Sequence, residues 1–449
     1  MSGTLPRIAV IGLGQGGAVA AMRLAKMGFA VDIFEQAQQG EVGHPWYDDI
    51  RFDIFAFCGL PLPARSCYTQ KGKRLFISPD EKNSLAVPSA KPMEEISISR
   101  RALSSHLGAL CEAAGCRVHY GTTVESLLTE DDVVTGVRVQ GTPHRAGLTI
   151  DASGVFSPFR AQVPKQFGVQ AQPGKNDVMT AWRGFFAHTP GTAAPDPDRN
   201  IYIKHQNSVG LSWCNLNDRD EVDVFVGRIG GLSEAEKDAA VQALFQNHDF
   251  FSEKVLQPGM CSVISLRGPL SMMVADGYVA LGDSAFMTMP MMGSGIEASM
   301  KAAVWLTELI LKENITHFTA AALWPWQVRY YEELGARYLF VDVVKRWVLN
   351  IDVDLLNWLF GCGAVTNEDM GLVSTDPDNP YRLTVGKILK KAAIVLQKPK
   401  ILTETAKWML KAVNAKRTAL AIPKTYDAAA VARWRKQYDA VFEKIEKNH

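Results

Sequence analysis

Gly12, Gly14 and Gly17 form a G-x-G-x-x-G run between an apolar, β-branched segment, Ile8–Ile11, and a stretch with helical spacing. A strand that turns this sharply into a helix needs glycine at those positions, and no other segment limits the possible folds as much. Residues 30 to 34 read as a second strand, so residues 7 to 35 form a βαβ unit. Glu35 closes that second strand, 18 residues beyond Gly17. The glycines let a pyrophosphate approach the backbone, and the helix N-terminus supplies N–H donors and a positive dipole end. A carboxylate at the Glu35 position accepts the hydroxyl hydrogens of an adenosine ribose. Strand, turn, helix and acid together imply a dinucleotide site, whereas a glycine turn without a ligand has no use for the acid.

At 449 residues the chain has room for two or three domains and a sizeable core. Residues 103 to 114 have helical spacing, with Leu103, Leu107 and Leu110 on one stripe, and residues 117 to 120 follow as a short strand. Two more strands are expected near residues 133 to 139 and 148 to 150. Between Met179 and Gly230 the character changes. Aromatic and β-branched residues alternate with polar ones at 181 to 186, 201 to 203 and 222 to 226, the pattern of an antiparallel sheet with one exposed face. Another buried strand, at 278 to 281, precedes a chain that is largely helical from about Gly295 onward.

The formal net charge of +1 argues against a nucleic-acid partner held by bulk electrostatics. Cys58, Cys67, Cys111, Cys116, Cys214, Cys261 and Cys362 never fall into C-x-x-C spacing, so neither a zinc site nor an iron–sulfur signature is expected and the metal content is read as none. The irregular, odd count suits reduced thiols in the cytosol. Arg7 and the apolar run after it imitate a short signal peptide, but that run leads directly into the glycine turn and reads as the first strand. No run of about 18 uncharged apolar residues is present, so no membrane-spanning helix is expected and the expected location is the cytoplasm.

Three later segments decide which dinucleotide is meant, by a resemblance to the flavoprotein hydroxylase and geranylgeranyl reductase superfamily. Arg100 in Arg100-x-x-Leu103-x-x-x-Leu107 resembles the family's arginine at the start of a helix that reaches the FAD phosphates. Asp151 and Gly154, followed by Ser157 and Arg160, are similar to its D-x-x-G-x-x-S-x-x-R segment. Gly282-Asp283-Ser284-Ala285, then Pro290 and Gly293-Ser294-Gly295, resemble its G-D-A-A…P…G-x-G segment at the ribityl chain and flavin ring. The resemblance implies FAD as the cofactor, with Asp283 accepting a ribityl hydroxyl and the helix near Gly295 aiming its positive end at the ring. Taken one at a time, Asp151 could serve as a turn residue and Arg100 as a solvated charge. Four such elements in order over about 290 residues argue otherwise.

Within the superfamily the chain resembles the reductase branch. Gly210-Leu211-Ser212-Trp213 is similar to that branch's G-Y-x-W segment on the substrate side of the flavin, and Arg267-Gly268-Pro269-Leu270 also matches. Glu41-Val42-Gly43-His44-Pro45 resembles its E-I-G-x-P stretch, which normally runs into Cys-Gly-Glu; here Trp46-Tyr47-Asp48-Asp49 stands instead, without a cysteine. His44, Tyr47, Asp48 and Asp49 are then the candidate proton donors, because reduction of a carbon–carbon double bond needs a hydride on one carbon and a proton on the other. The alternatives stay open: Asp48 and Asp49 as a solvated loop, Trp213 as core packing. The halogenase pattern W-x-W-x-I-P is not found at Trp213-Cys214-Asn215. With no second G-x-G-x-x-G run, electrons are expected from transiently bound NAD(P)H or from a reduced carrier protein.

The expected fold is α/β: a Rossmann-type FAD-binding domain with an inserted antiparallel β substrate domain and a helical C-terminal region. In numbers, residues 1 to 160 with a short excursion near 76 to 95 begin the FAD domain, 161 to 264 form the β-rich domain, 265 to 330 return to the first, and 331 to 449 are helical. Tyr330, Tyr331, Tyr338 and Phe340 are expected to roof a pocket for a hydrophobic or lipid-like substrate. The expected reaction is reduction of an isoprenoid-like double bond, with single-component monooxygenation as the alternative. Finally, Arg382 to Lys424 holds eleven positive residues against Glu404 alone. Ile401, Thr405, Trp408, Met409, Ala412 and Val413 share one helical face there, so the stretch reads either as a basic amphipathic helix for an anionic membrane surface or as a helix packed on the protein body. The oligomeric state is not legible.

Overall fold

The computed structural model of the chain describes residues 5–71, 74–87, 95–193, 199–372, 384–396 and 398–446. A six-stranded sheet runs in the spatial order Val274–Ala275, Tyr278–Ala280, Leu148–Asp151, Ile8–Ile11, Val31–Phe34, Arg117–His119. All its pairs are parallel except the first. The three central strands are buried at every residue, as strands covered on both faces must be. Helix Gln15–Lys26 follows the first strand and packs on Arg100–Ala113 and Ile296–Lys312. The approach to the last is close: a Cβ on Gly16 would come within 2.9 Å of the Ser299 carbonyl oxygen. This is the Rossmann-type arrangement that the glycine turn predicts.

A seven-stranded sheet lies beside it, ordered Phe251–Ser265, Val178–His188, Glu221–Ile229, Gly210–Leu216, Arg199–Ile203, Arg74–Ile77, Ser84–Val87. It departs from the expectation in two ways. It is not wholly antiparallel, because Arg199–Ile203 runs parallel to Arg74–Ile77, a strand contributed by the segment between the first sheet's strands. Nor is one face exposed along its interior: Glu221–Ile229 is buried at every position but its ends, and exposure is confined largely to the edge strand Phe251–Ser265. Helix Glu234–Asn247 covers one side, where Leu244 packs with Val222, Val224 and Phe186, while Phe225, Met179 and Leu266 fill the other. The helix starts at Ser233, whose hydroxyl accepts from Glu236 N while Glu236 reaches back to the Ser233 N–H.

The C-terminal region comprises Ala320–Tyr330, Ala336–Asn350, Val353–Gly361, Val385–Val395, Pro399–Leu420 and Ala428–Glu446. A buried ion cluster anchors it to the junction of the two large sheets. Asp342 receives Gly268 N (3.0 Å), Lys345 Nζ (2.9 Å) and Arg346 Nε (2.9 Å), and Arg346 continues to Asp177 at 3.0 Å, just before the Val178–His188 strand. The two cations hold the Asp342 carboxyl well below the usual range despite its burial.

The pocket-roof expectation fails. Tyr330, Tyr331 and Tyr338 are core residues and Phe340 packs against the same core, away from the cleft described below. Edge-to-face contacts explain the placement: Tyr331 meets Trp434 and Tyr438 at ring distances of 5.2 and 5.5 Å, and its hydroxyl donates to the Leu270 carbonyl oxygen at 2.7 Å. The stripe of the basic helix turns inward in part: Trp408 and Ala412 are buried, with Ala415 and Ala419, as Pro399–Leu420 packs on Ala336–Asn350, while Thr405 and Met409 are partly buried and Val413 is exposed. Arg382, the first cation of that stretch, lies outside the described residues, and no side-chain placement is described for Ile401. Among the described residues no helix is long and apolar enough to cross a membrane.

Candidate active site

A cleft runs along the junction of the two large sheets, lined at one end by Gly14, Gln15, Gly16 and Gly17 and at the other by Lys71, Asn215 and Asn217. Its glycine end is shaped by close backbone contact. Gly12 has φ +88°, and a Cβ there would meet the Ala152 carbonyl oxygen at 2.6 Å; one on Gly17 would lie 2.8 Å from Ala152 Cβ. The turn therefore presses against Ala152, and the free N–H groups at the start of Gln15–Lys26 stand at the cleft wall. Glu35 is buried behind this turn, accepting Leu13 N through Oε2 (2.7 Å) and Ala37 N through Oε1 (2.8 Å). Each oxygen keeps a lone pair for a further donor.

Asp151 does not reach the cleft. It is fully buried and receives Ser153 Oγ (2.6 Å), Ser157 Oγ (2.5 Å) and Tyr278 OH (2.7 Å). Its effect is to fix the loop Ala152, Ser153 and Gly154, which does line the cleft. Arg160 is likewise buried, donating to the carbonyl oxygens of Ser284 (2.8 Å) and Val155 (2.6 Å), and so ties this loop to the turn Gly282–Ala285. On that turn Asp283 is exposed in the cleft and accepts from Thr288 Oγ1 at 2.7 Å. Gly293 and Gly295 line the wall before Ile296–Lys312; a Cβ on Gly295 would be 2.8 Å from Thr288 Oγ1. Pro290 is buried behind them. Gly14, Gly17, Arg100, Gly154, Gly282, Asp283, Gly293 and Gly295 thus share one cleft, while Gly12, Glu35, Asp151 and Pro290 support it from behind.

The strand Tyr47–Arg51 brings the other candidates to the same space. His44, Tyr47, Asp48, Asp49 and Trp213 all line it. Arg100 Nε donates to Asp48 Oδ2 at 2.5 Å, and its Nη1 donates to Gln15 Oε1 at 3.1 Å, so Asp48 is already paired. His44 Nε2 lies 2.9 Å from Ser262 Oγ, and its ring is 4.5 Å from that of Trp46. Burial pushes the imidazole below the ordinary histidine value; Arg100 adds to this, while Asp48 and Asp283 oppose it. Trp213 stacks on Phe225 at 3.8 Å with an interplanar angle of 9°.

Arg183 is the residue that sequence reasoning missed most clearly. From the strand Val178–His188 it grips Asp223 through Nε (2.8 Å) and Nη2 (2.6 Å), donates from Nη1 to the Tyr47 carbonyl oxygen (2.7 Å), and lies 5.4 Å from the Trp213 ring and 5.7 Å from Trp46. It locks the second sheet to the strand carrying Asp48 and Asp49. Lys71, Arg74 and Ser262 were missed with it. For Arg183 and Arg74 the only signal was a charged residue inside a strand pattern, which does not identify its partner; Lys71 and Ser262 gave none.

A family model described as an FAD binding domain matches residues 6–314, more than half of the chain. Similar proteins include a digeranylgeranylglycerophospholipid reductase from Sulfolobus acidocaldarius, 23% identical over 98% of this chain and 98% of that protein. A kynurenine 3-monooxygenase from Salinispora arenicola is 27% identical over 68% of this chain and 72% of that one. Among solved structures, a geranylgeranyl bacteriochlorophyll reductase-like protein from Thermoplasma acidophilum superposes with a TM-score of 0.73 at 19% identity, covering 90% of this chain and 99% of the other, which speaks for the fold.

Proposed function

The chain belongs to the FAD-binding-domain family of oxidoreductases, and on that premise we propose that it reduces carbon–carbon double bonds of an isoprenoid or similar lipid. The observation that carries this reading is the continuity of the cleft. The same space that holds the glycine wall and Asp283 also holds an apolar wall of Trp46, Ile201, Trp213, Phe225, Ile264 and Met292. Similarity over nearly the whole length to a digeranylgeranylglycerophospholipid reductase supports the substrate class.

The residues present fit FAD. The Gly12–Gly17 turn and Gly295 sit where a Cβ would collide with backbone or with Thr288, leaving bare backbone for a cofactor to approach. Glu35, just behind the turn, would hold the adenosine ribose, the N-terminus of Gln15–Lys26 and Arg100 would hold the pyrophosphate, and Asp283 with the start of Ile296–Lys312 would hold the ribityl chain and ring. Bound and reduced, FAD supplies the hydride, and NAD(P)H or a reduced carrier protein replenishes it. His44 delivers the proton to the other carbon. Arg100 and Asp283 act on it from the cofactor side and Ser262 bonds it from the substrate side, while Asp48 is occupied by Arg100. The Trp213–Phe225 stack excludes water from the reacting carbons and keeps the apolar chain against the wall.

Association with an anionic lipid surface is part of the same proposal, through a different face from the one the stripe predicts. Leu389, Leu396 and Leu410 are exposed, with Lys390 and Lys407 exposed among them. The test of the reaction is anaerobic. Purified flavoprotein, chemically reduced, is mixed with a geranylgeranyl lipid; reoxidation of the flavin with a product two mass units heavier per saturated bond is expected. Product formed only with oxygen, carrying an oxygen atom from O2, would replace this reading with monooxygenation, the alternative that similarity to kynurenine 3-monooxygenase favours.

A further inference from the structure

We propose that Lys71 anchors an anionic group of the substrate, a phosphate or a carboxylate, and thereby sets which carbon of the attached apolar chain lies beside His44. The proposal rests on the reading of the cleft as a site for an apolar chain and adds the chemistry of that chain's end.

Lys71 follows the strand Tyr68–Gln70, the edge of a three-stranded sheet whose other strands are Glu95–Ser99 and Tyr47–Arg51, and its backbone N–H donates to the Glu95 carbonyl oxygen at 3.0 Å, which fixes it there with its side chain in the cleft wall. The other cations of that wall are spoken for. Arg100 pairs with Asp48, Arg183 with both oxygens of Asp223, and Arg74 with Glu95 at 2.9 Å. The Lys71 ammonium alone among them has no hydrogen-bond or ion-pair partner among the described residues.

The charged groups facing it do not fill that role. Asp223 is engaged by Arg183, and Asp218 is exposed to water beyond the Gly210–Leu216 strand. Arg183 and Arg74 face it as well. Burial pushes the amine below the ordinary lysine value, Arg183 and Arg74 act in the same direction, and Asp223 and Asp218 oppose them. A half-buried, unpaired ammonium costs free energy, and an anionic oxygen at the cleft end would form a charge-assisted hydrogen bond with it. Asn215 and Asn217, which line the same end, are committed: Asn215 Oδ1 accepts Asn200 N (2.9 Å), and Asn217 Oδ1 accepts the N–H groups of Arg219 (2.9 Å) and Glu221 (3.0 Å). They do not compete for Lys71. An occupant that satisfies both ends of the cleft has an anionic head at Lys71 and an apolar body along Trp213, Phe225 and Ile201.

The test is calorimetric titration of the full-length, flavin-loaded protein with decyl phosphate, decanoate and decanol. At least one anionic probe is expected to bind about tenfold or more tightly than decanol, the scale of one hydrogen bond to a charged group. Lys71→Met is expected to bring that preference to within about threefold, and Lys71→Arg to keep it, with near-ultraviolet circular dichroism confirming that both variants are folded. Preference for the phosphate alone or the carboxylate alone identifies the head group. No preference in the parent protein, or a preference that survives Lys71→Met, overturns the proposal. If the anion preference depends on Lys71 yet no isoprenoid is reduced, the anchor stands and the proposed reaction falls. If isoprenoids are reduced but Lys71→Met changes nothing, the reverse holds.

Discussion

Glu297 makes the stability of this protein depend on pH in a way that a single substitution removes. It is the second residue of Ile296–Lys312, is buried, and its Oε1 accepts the backbone N–H of Arg51 at 2.7 Å, joining that helix to the end of the Tyr47–Arg51 strand. Burial pushes its carboxyl from 4.5 to about 7, partly offset by Lys301. An acid whose folded value is raised binds a proton on folding, so its contribution is most favourable below the unfolded value and is lost as pH climbs through the window from 4.5 to about 7. At about 1.4 kcal/mol per unit, the carboxylate destabilises the fold by roughly 3 kcal/mol at pH 8, and by a little under about 1 kcal/mol at pH 5. Glu297→Gln keeps an oxygen for Arg51 N and cannot ionise. Urea denaturation of both proteins at pH 5 and pH 8 is therefore expected to show the variant gaining about 2 to 3 kcal/mol relative to the parent between the two pH values. A gain that is equal at both, or a variant that loses ground at pH 8, would refute the reasoning, because it would mean that Glu297 is not a desolvated acid.

Three other expectations follow from the site. Gly17→Ala places a Cβ 2.8 Å from Ala152 Cβ and 2.9 Å from the Gly12 carbonyl oxygen, so FAD affinity measured by titration of the apoprotein should fall at least about tenfold; unchanged affinity would show that the turn has slack. His44→Gln should lower kcat for double-bond reduction by about a hundredfold or more. The parent's rate should fall as pH rises along a limb lying below the ordinary histidine value of 6.5, and the variant should lack that limb; a retained limb would move the proton donor elsewhere. Sedimentation with vesicles should recover the full chain with anionic lipid and not with zwitterionic lipid, and Leu410→Asp should weaken the association severalfold; binding to neither vesicle, or equally to both, would remove the membrane from the proposal.

The glycine-lined half of the cleft was legible in the sequence because its determinants are local. Gly12, Gly14 and Gly17 are required by a backbone turn that the adjoining strand and helix announce, and Gly293 with Gly295 works the same way before Ile296–Lys312. Where reading by motif went wrong it mistook support for contact: Asp151 belongs to its segment as expected, yet its carboxylate faces Ser153, Ser157 and Tyr278. The substrate half was read poorly. Arg183 and Asp223 are 40 residues apart and meet only through the pairing of two strands, and Arg183 reaches Tyr47, 136 residues away. Periodicity could place both on strands without saying that they would meet. The aromatic cluster shows the same failing, since Tyr330, Tyr331 and Tyr338 have the composition of a pocket roof but are core, Tyr331 against Trp434 and Tyr438 a hundred residues later and Tyr330 against Trp305.

This division has a chemical consequence. A wall built on close backbone contact, as at Gly16, Gly17 and Gly295, tolerates few substitutions, whatever reaction the protein performs, because a Cβ there would press on Ser299, Ala152 or Thr288 and shift the backbone that forms the wall. A wall made of side chains can change one residue at a time without disturbing the fold that carries it. Here the paired groups Arg100–Asp48 and Arg183–Asp223 lie between the two walls and fasten the Tyr47–Arg51 strand to both. They fasten the segment that carries His44 and Asp49 beside the glycine wall, so changes in substrate are to be sought among Lys71, Trp213 and Met292, whose side chains line the cleft and are only partly buried.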